Sequence, residues 1–224
     1  MADPTDIRVD FHTHSSASND GGITAQQYTD ILASGALDCV AITDHNSIGF
    51  AVKLQQKLGK NKVIVGEEIS TQQGDIIGLF LSSVVSAHQD VTDAIADIRS
   101  QGGLVYIPHP FETVRKGVSM RTLNTIQKDI DIIETINGRA VFQNHHDAAT
   151  DWAVKNNILM ATSSDAHRAG ALGKTYTQLP AMPTRENLTA LLKEAGHSYK
   201  KPSLLDVMAP KMNTISKLCK GVRA

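Results

Sequence analysis

Val9-Asp10-Phe11-His12-Thr13-His14 is a short β-prone run that closes on two imidazoles. Residues two apart on a strand share a face, so His12 and His14 are placed to grip one cation together. The arrangement recurs in Ala41-Ile42-Thr43-Asp44-His45, Val63-Ile64-Val65-Gly66-Glu67, Tyr106-Ile107-Pro108-His109 and Ser163-Ser164-Asp165-Ala166-His167. Each apolar run ends in a side chain able to bind a metal. In an α/β barrel the carboxyl ends of the strands meet on one face, where sites are built. Five runs delivering ligands to one rim read as a multi-metal centre.

Helix signals fill the spaces between the runs. Residues 23–33, 48–58, 91–100, 119–127, 140–156 and 185–195 read as helices, with Thr24 as an N-cap and Gly35 and Gly59 as stops. Residues 7–11, 39–43, 63–67, 104–108, 130–136, 159–163 and 174–179 read as strands, and Gln72-Gln73-Gly74 marks a hairpin. About seven β-then-α units predict an irregular barrel rather than a sandwich. The barrel is expected over residues 1–199. Residues 200–224, interrupted by Pro202 and Pro210, are expected to be a basic terminal appendage.

Composition narrows the function classes. No apolar run reaches the roughly 18–20 residues of a membrane span, so no membrane role is expected. There is no basic stretch followed by an apolar one at the start, so no secretory signal is expected. Cys39 and Cys219 make no disulfide framework, which fits a reduced cytoplasmic setting. The net charge of −1 hides an asymmetry: residues 200–224 carry six cations against Asp206, a net +5, leaving −6 for residues 1–199. The tail is either a solvated helix or a patch for nucleic acid or another polyanion. An acidic body is what a cation-binding site leaves before its metals are counted.

The candidate ligands follow from strand parity. The small-residue loop Ser15–Gly22 can fold back and deliver Asp20. Asp44 reads as a partner that fixes a ligand, and His45 as the ligand itself. Glu67 continues the parity of Val63 and Val65 and reads as a carboxylate bridging two metals, leaving Glu68 as a salt-bridge or loop residue. Pro108 and Pro110 restrict the backbone around His109. Asp165 and His167 share a face. Five imidazoles and three carboxylates (Asp20, Glu67 and Asp165) suffice for two or three sites with open water positions. Mixed nitrogen and oxygen ligation suits manganese, iron or zinc.

Together the segments HTHSSAS-NDG, ITDH, VGEE, IPHP, IETING and SSDAH resemble the polymerase-and-histidinol-phosphatase (PHP) family of metal-dependent phosphoesterases, from about Val9 to Thr177. The resemblance implies a distorted (β/α)7 TIM-like barrel. It implies a first metal on His12, His14, Glu67 and Asp165, a second on Glu67 and His109, and a third on Asp20, His45 and His167. Many members add a histidine to the second metal after the strand that ends here in Glu134-Thr135-Ile136-Asn137; here Asn137 is a candidate to line the site and Glu134 or His145 to substitute, although His145, in a helix-like stretch, reads better as a surface histidine. Arg139 and Arg168 are candidates for holding phosphoryl oxygens, and Arg115-Lys116-Gly117 is either a phosphate clamp or a solvated loop.

The expected activity is hydrolysis of a phosphomonoester, nucleotide or oligonucleotide end by a metal-activated water, without an enzyme nucleophile. Only 41 residues separate Glu67 from His109, too few for a large lid, which favours a nucleotide or short nucleic-acid end as partner. The alternatives are an amidohydrolase-type metal hydrolase, a small-metabolite phosphatase of the histidinol-phosphate type, and a non-catalytic PHP module.

Overall fold

Strands apolar on successive residues need cover on both faces, and the chain supplies it by alternating them with helices. The computed structural model describes residues 6–141 and 144–221. Its first half runs β1 (Ile7–Asp10), α1 (Ala25–Ala33), β2 (Cys39–Ile42), α2 (Gly49–Leu58), β3 (Val63–Thr71), β4 (Gly74–Leu79), α3 (Val91–Ser100) and β5 (Leu104–Ile107). The second half runs α4 (Met120–Ile126), β6 (Ile132–Asn137), α5 (His146–Asn156), β7 (Leu159–Ser163), β8 (Tyr176–Leu179), α6 (Leu188–Leu191), β9 (Gly196–Ser198) and α7 (Leu204–Cys219).

Among the described residues the strands form one sheet in the order β7-β6-β5-β4-β3-β2-β1-β8-β9. β1–β2, β2–β3, β5–β6 and β6–β7 pair in parallel. β4, the return arm of the Gln72-Gln73 hairpin, is antiparallel to β3 and β5, and β8 is antiparallel to β1. The sheet curls into a nearly closed barrel. Across the seam, the Thr177 hydroxyl accepts from the Thr162 amide at 2.9 Å and donates to the Thr162 carbonyl at 2.8 Å. Beyond the strand ends, Thr13 bridges to Ala166.

Two apolar clusters show which way each strand faces. Val9, Phe11, Cys39, Ala41, Ile64 and Tyr106 belong to the cluster lining the barrel. Val40, Ile42, Val63, Val65, Ile69 and Ile107 pack with helix residues such as Tyr28, Leu54, Ile98 and Trp152. α1 starts on the expected cap: Thr24 accepts from the Gln27 amide, and Gln27 reaches back to the Thr24 amide at 2.9 Å.

Two expectations change. α5 starts at His146 rather than 140, because Asn137 to Ala140 form a turn, with the Ala140 amide donating to the Asn137 carbonyl at 3.2 Å. The 185–195 helix shortens to α6, and β9 appears beside β8, paired through residues with little apolar signal, His197 among them. Residues 204–219 form α7 despite Pro210, because Ser203 and Asp206 make a full capping box just after Pro202. This helix bonds to the loops after β1 and β7 through Asn213 and Lys217. Its buried residues are Asp206 and Ala209, whereas Leu204, Leu205, Met208, Met212, Ile215 and Leu218 are exposed. Arg223 of the basic tail lies outside the described residues.

Candidate metal centre

The strand ends converge. His12 and His14 leave β1 with their Nε2 atoms 3.0 Å apart. The carboxylate between them comes from Glu68: Oε2 lies 3.4 Å from His12 Nε2, 3.2 Å from His14 Nε2 and 3.3 Å from His45 Nδ1, while Oε1 lies 3.0 Å from His109 Nε2. Asp165 Oδ1 stands 3.6 Å from His12 Nε2 and 3.5 Å from His14 Nε2. On the loop side, Asp20 Oδ2 is 3.1 Å from His167 Nε2 and Oδ1 is 3.6 Å from His45 Nε2. Among the described residues three donor groups result, each with its ligand atoms within 4.8 Å of one another: His14, Asp20, His45 and His167; His12, His109 and Asp165; and His12, His14 and Glu68.

Glu67 is the correction. Its parity is that of Val63, Val65 and Ile69, which face the helices, whereas Glu68 continues Ile64 and Gly66 into the barrel. The expectation rested on Glu67 continuing the parity of Val63 and Val65, but a strand buried on both faces gives parity no direction. Small residues at the interior positions of the neighbouring strand, Cys39 and Ala41, were the usable signal. Glu67 is fully buried, accepts from the Val85 amide at 2.8 Å and has an unpartnered Oε1; burial pushes its carboxyl up to about 7.

A layer of polar residues holds the donors. Asp44 accepts from the Ser15 amide and hydroxyl at 2.7 and 2.6 Å and from the Ser18 hydroxyl at 2.9 Å, pinning the loop that carries Asp20. Glu134 is committed on both oxygens. Oε1 accepts from the Tyr106 hydroxyl at 3.0 Å and lies 3.2 Å from His12 Nδ1; Oε2 accepts from the His109 amide and the Asn137 side-chain amide, each at 2.7 Å. It therefore orients two imidazoles instead of presenting a free oxygen. His109 and Asp165 both have left-handed backbones, with φ of 28° and 51°, a conformation that persists where neighbours over-determine it.

The flanking cations divide. Arg139 Nη1 lies 3.1 Å from Asp165 Oδ2 and 3.2 Å from His167 Nδ1. Arg115, weighed from sequence as clamp or loop, reaches inward: it donates to Asp165 Oδ2 at 2.7 Å and Asn137 Oδ1 at 2.6 Å, and it pairs with buried Glu112. Arg168 turns the other way, onto Asp206 of α7 at 2.8 Å, because its backbone leaves the mouth with the turn at 169–171. His145 precedes α5, with its ring edge-on to Phe111 at 6.3 Å, and is not in the donor groups. Asp75, unremarked in the sequence, is buried opposite Ser70 with Oδ1 unpartnered; burial and the Glu68 charge push its carboxyl up to about 6.

Burial opposes charge on every group here. Against it, Arg139 and His12 hold Asp165 well below the carboxylate range, and His45 and His12 do the same for Glu68. Asp165, Glu134 and Glu68 lift His12. His45 rises to about 9 against burial, through Glu68 and Asp20. His167 goes the other way: burial, then His14 and Arg139, lower it to about 4, so its ring is neutral at pH 7 and offers a lone pair. Such a donor set fits divalent cations. So does Asp20 Oδ1, which is buried and without a hydrogen bond.

A family profile described as PHP-associated matches residues 143–195. An uncharacterized protein of Methanocaldococcus jannaschii is 32% identical over 183 residues, 76% of this chain and 69% of that protein. The chain belongs to the PHP family. A two-domain Bacteroides vulgatus protein containing a predicted PHP-like metal-dependent phosphoesterase superposes with a TM-score of 0.70 at 20% identity, covering 93% of this chain and 70% of that one. An amidohydrolase from Chromobacterium violaceum, with bound sulfate, gives 0.61 at 16% identity, covering 84% of this chain and 97% of that one. These likenesses concern the fold, and the distorted α/β barrel expected from sequence is the fold observed.

Proposed function

We propose that this PHP protein is a metal-dependent phosphoesterase acting on phosphomonoesters, nucleotides or short oligonucleotide ends. The supporting observation is the convergence of His12, His14, Glu68, His109 and Asp165 beside Asp20, His45 and His167. In this reading His12, His14, Glu68 and Asp165 hold one cation, Glu68 and His109 a second, and Asp20, His45 and His167 a third, as manganese, iron or zinc. Glu68 would take the ligand place that sequence parity assigned to Glu67. Two or three such cations supply a water of lowered pKa and neutralise charge on phosphoryl oxygens.

The chain's own groups do the rest. Glu134 fixes the His12 ring and the His109 backbone, so the donors need no reorganisation on loading. Arg139 and Arg115 place two guanidiniums beside Asp165, suited to planar recognition of phosphoryl oxygens. The site is open on the side of Asp20 and His45, whose side chains are 26% and 31% exposed. A cleft of about 520 Å³ lies between the β3–β4 turn and the loop after His109, lined in part by Gln72, Gln73, Phe111, Glu112 and Lys116. Between Glu68 and His109 stand only the hairpin, α3 and their loops, so no inserted subdomain covers the mouth.

The test is phosphate release from p-nitrophenyl phosphate, mononucleotides and short oligonucleotides, using protein stripped with chelator and reloaded with manganese, zinc or iron. Turnover is expected only when metal is present. His12→Ala and Glu68→Gln are each expected to reduce kcat by about 100-fold or more, the scale of removing one preorganised electrostatic group. Hydrolysis of amides or lactones without phosphate release would favour the amidohydrolase alternative. That reading lacks a lysine at the strand ends: Lys53 and Lys57 lie on α2, and Lys60 and Lys62 lie between α2 and β3.

A further inference from the structure

The donor group His14, Asp20, His45 and His167 joins segments far apart in sequence. Asp20 rides on the loop after β1, and His167 on the loop after β7, 147 residues later. What ties these two backbones together is α7. The Asn213 side-chain amide donates both to the Asp20 carbonyl at 2.8 Å and to the His167 carbonyl at 2.9 Å. One turn on, Lys217 Nζ donates to the Ser16 carbonyl at 2.9 Å, the Gly21 carbonyl at 2.8 Å and the Ser18 carbonyl. The fit is close: a Cβ added at Gly22 would come within 2.8 Å of Asn213.

The N-terminal end of the helix is fixed by the same kind of contact. Asp206 takes Arg168 at 2.8 Å and Lys174 at 3.0 Å, while its own helix start is capped by Ser203. Apolar burial contributes little, because Ala209 is the one apolar residue of α7 buried among the described residues. An amphipathic helix ordinarily docks by its apolar stripe. This one docks by its polar side, and those polar bonds end on the two loops that carry Asp20 and His167. A helix held for packing alone would not spend Asn213 and Lys217 on five loop carbonyls.

We propose that Asn213 and Lys217 are positioning residues: α7 is a clamp that sets the Asp20 and His167 loops in the register that lets them, with His14 and His45, hold one cation. The proposal rests on the metal-centre reading and adds that occupancy of this one position depends on a helix outside the barrel. Neither residue touches a donor atom. Groups that orient metal ligands typically affect affinity by about 10-fold to 100-fold.

The experiment counts manganese bound to the full chain by equilibrium dialysis with elemental analysis. The proteins are wild type, Asn213→Leu, Lys217→Met, Lys217→Arg and, as comparator, Asp20→Asn. Backbone hydrogen exchange is followed in the metal-free forms. Asn213→Leu and Lys217→Met are expected to weaken one manganese by about 10-fold or more, the same one that Asp20→Asn loses, with the others unchanged. Amides of residues 16–22 and 166–168 are expected to exchange faster, and Lys217→Arg to restore most of the affinity. Unchanged affinity for every cation in Asn213→Leu and Lys217→Met, even with a lowered melting temperature, overturns the clamp and leaves the metal centre standing. A wild-type protein that binds no manganese, zinc or iron overturns both.

Discussion

Two adjacent glutamates with opposite fates carry the residue-scale lesson. Glu68 is buried among four imidazoles that compensate its charge, whereas Glu67 is buried with a single backbone amide on one oxygen. Burial raises the Glu67 carboxyl from its ordinary 4.5 to about 7. A raised carboxyl stabilises the fold in its protonated form. That contribution is complete below the unfolded value and is lost as pH rises through about 7. Chelator-treated wild type is therefore expected to lose about 2 kcal/mol of stability from this group between pH 5 and pH 8, and Glu67→Gln to lose that much less, read from urea melts at both pH values. Reloaded Glu67→Gln is expected to keep phosphate release within a few-fold of wild type. An inactive Glu67→Gln beside an active Glu68→Gln would reverse the assignment.

At the scale of elements, α7 depends on its first turn. Asp206 is buried and paired with Arg168 and Lys174. Against the opposing effect of burial, bonds from Ser203, Lys174 and Arg168 hold its carboxyl at about 2, below the ordinary 3.8. A lowered carboxyl contributes stability above the unfolded value and loses it as pH falls through the folded one. Asp206→Asn is expected to cost about 1 to 2 kcal/mol at pH 7 and progressively less as pH falls from about 4 toward 2, by denaturant melts across that range. Equal costs at pH 7 and pH 3 would mean that the charge on Asp206 does not hold the helix. Legibility differed among elements. α1, α2 and α3 end within two residues of their sequence boundaries because caps and glycines act locally. α7 is the helix reading of the tail, and Pro210, at a local cost of about 3 kcal/mol, stands inside it behind a first turn that Ser203 and Asp206 cap.

For the whole molecule, a cluster of five imidazoles and three carboxylates closed at one end of a barrel links folding to cation binding. A ligand present at 100 times its Kd stabilises the folded state by about 2.7 kcal/mol per site, if the unfolded chain does not bind it. In a chain of this size that corresponds to a melting shift of roughly 5 to 10 °C. Manganese or zinc is expected to raise the melting temperature by that amount over protein in chelator, and His12→Ala to show less than half of the rise. Identical melting with metal and with chelator would remove cations from the stability of this fold. Among the described residues no helix is long and apolar enough to cross a membrane.

The sequence by itself determined the barrel and most of its rim. A strand run that ends in a ligand is a local pattern, and His12, His14, His45, His109, Asp165 and His167 stand at such ends, with Asp20 on the small-residue loop after the first. Only the tertiary structure decided that Glu68 enters and Glu67 does not, since both faces of β3 are apolar and parity alone carries no sign. Only it turned Arg115 inward onto Asp165, sent Arg168 to Asp206 and laid α7 across the two ligand loops. Those choices are made by contacts between residues tens to hundreds of positions apart, where charge and hydrogen-bond satisfaction in a buried space outweigh anything a local window encodes.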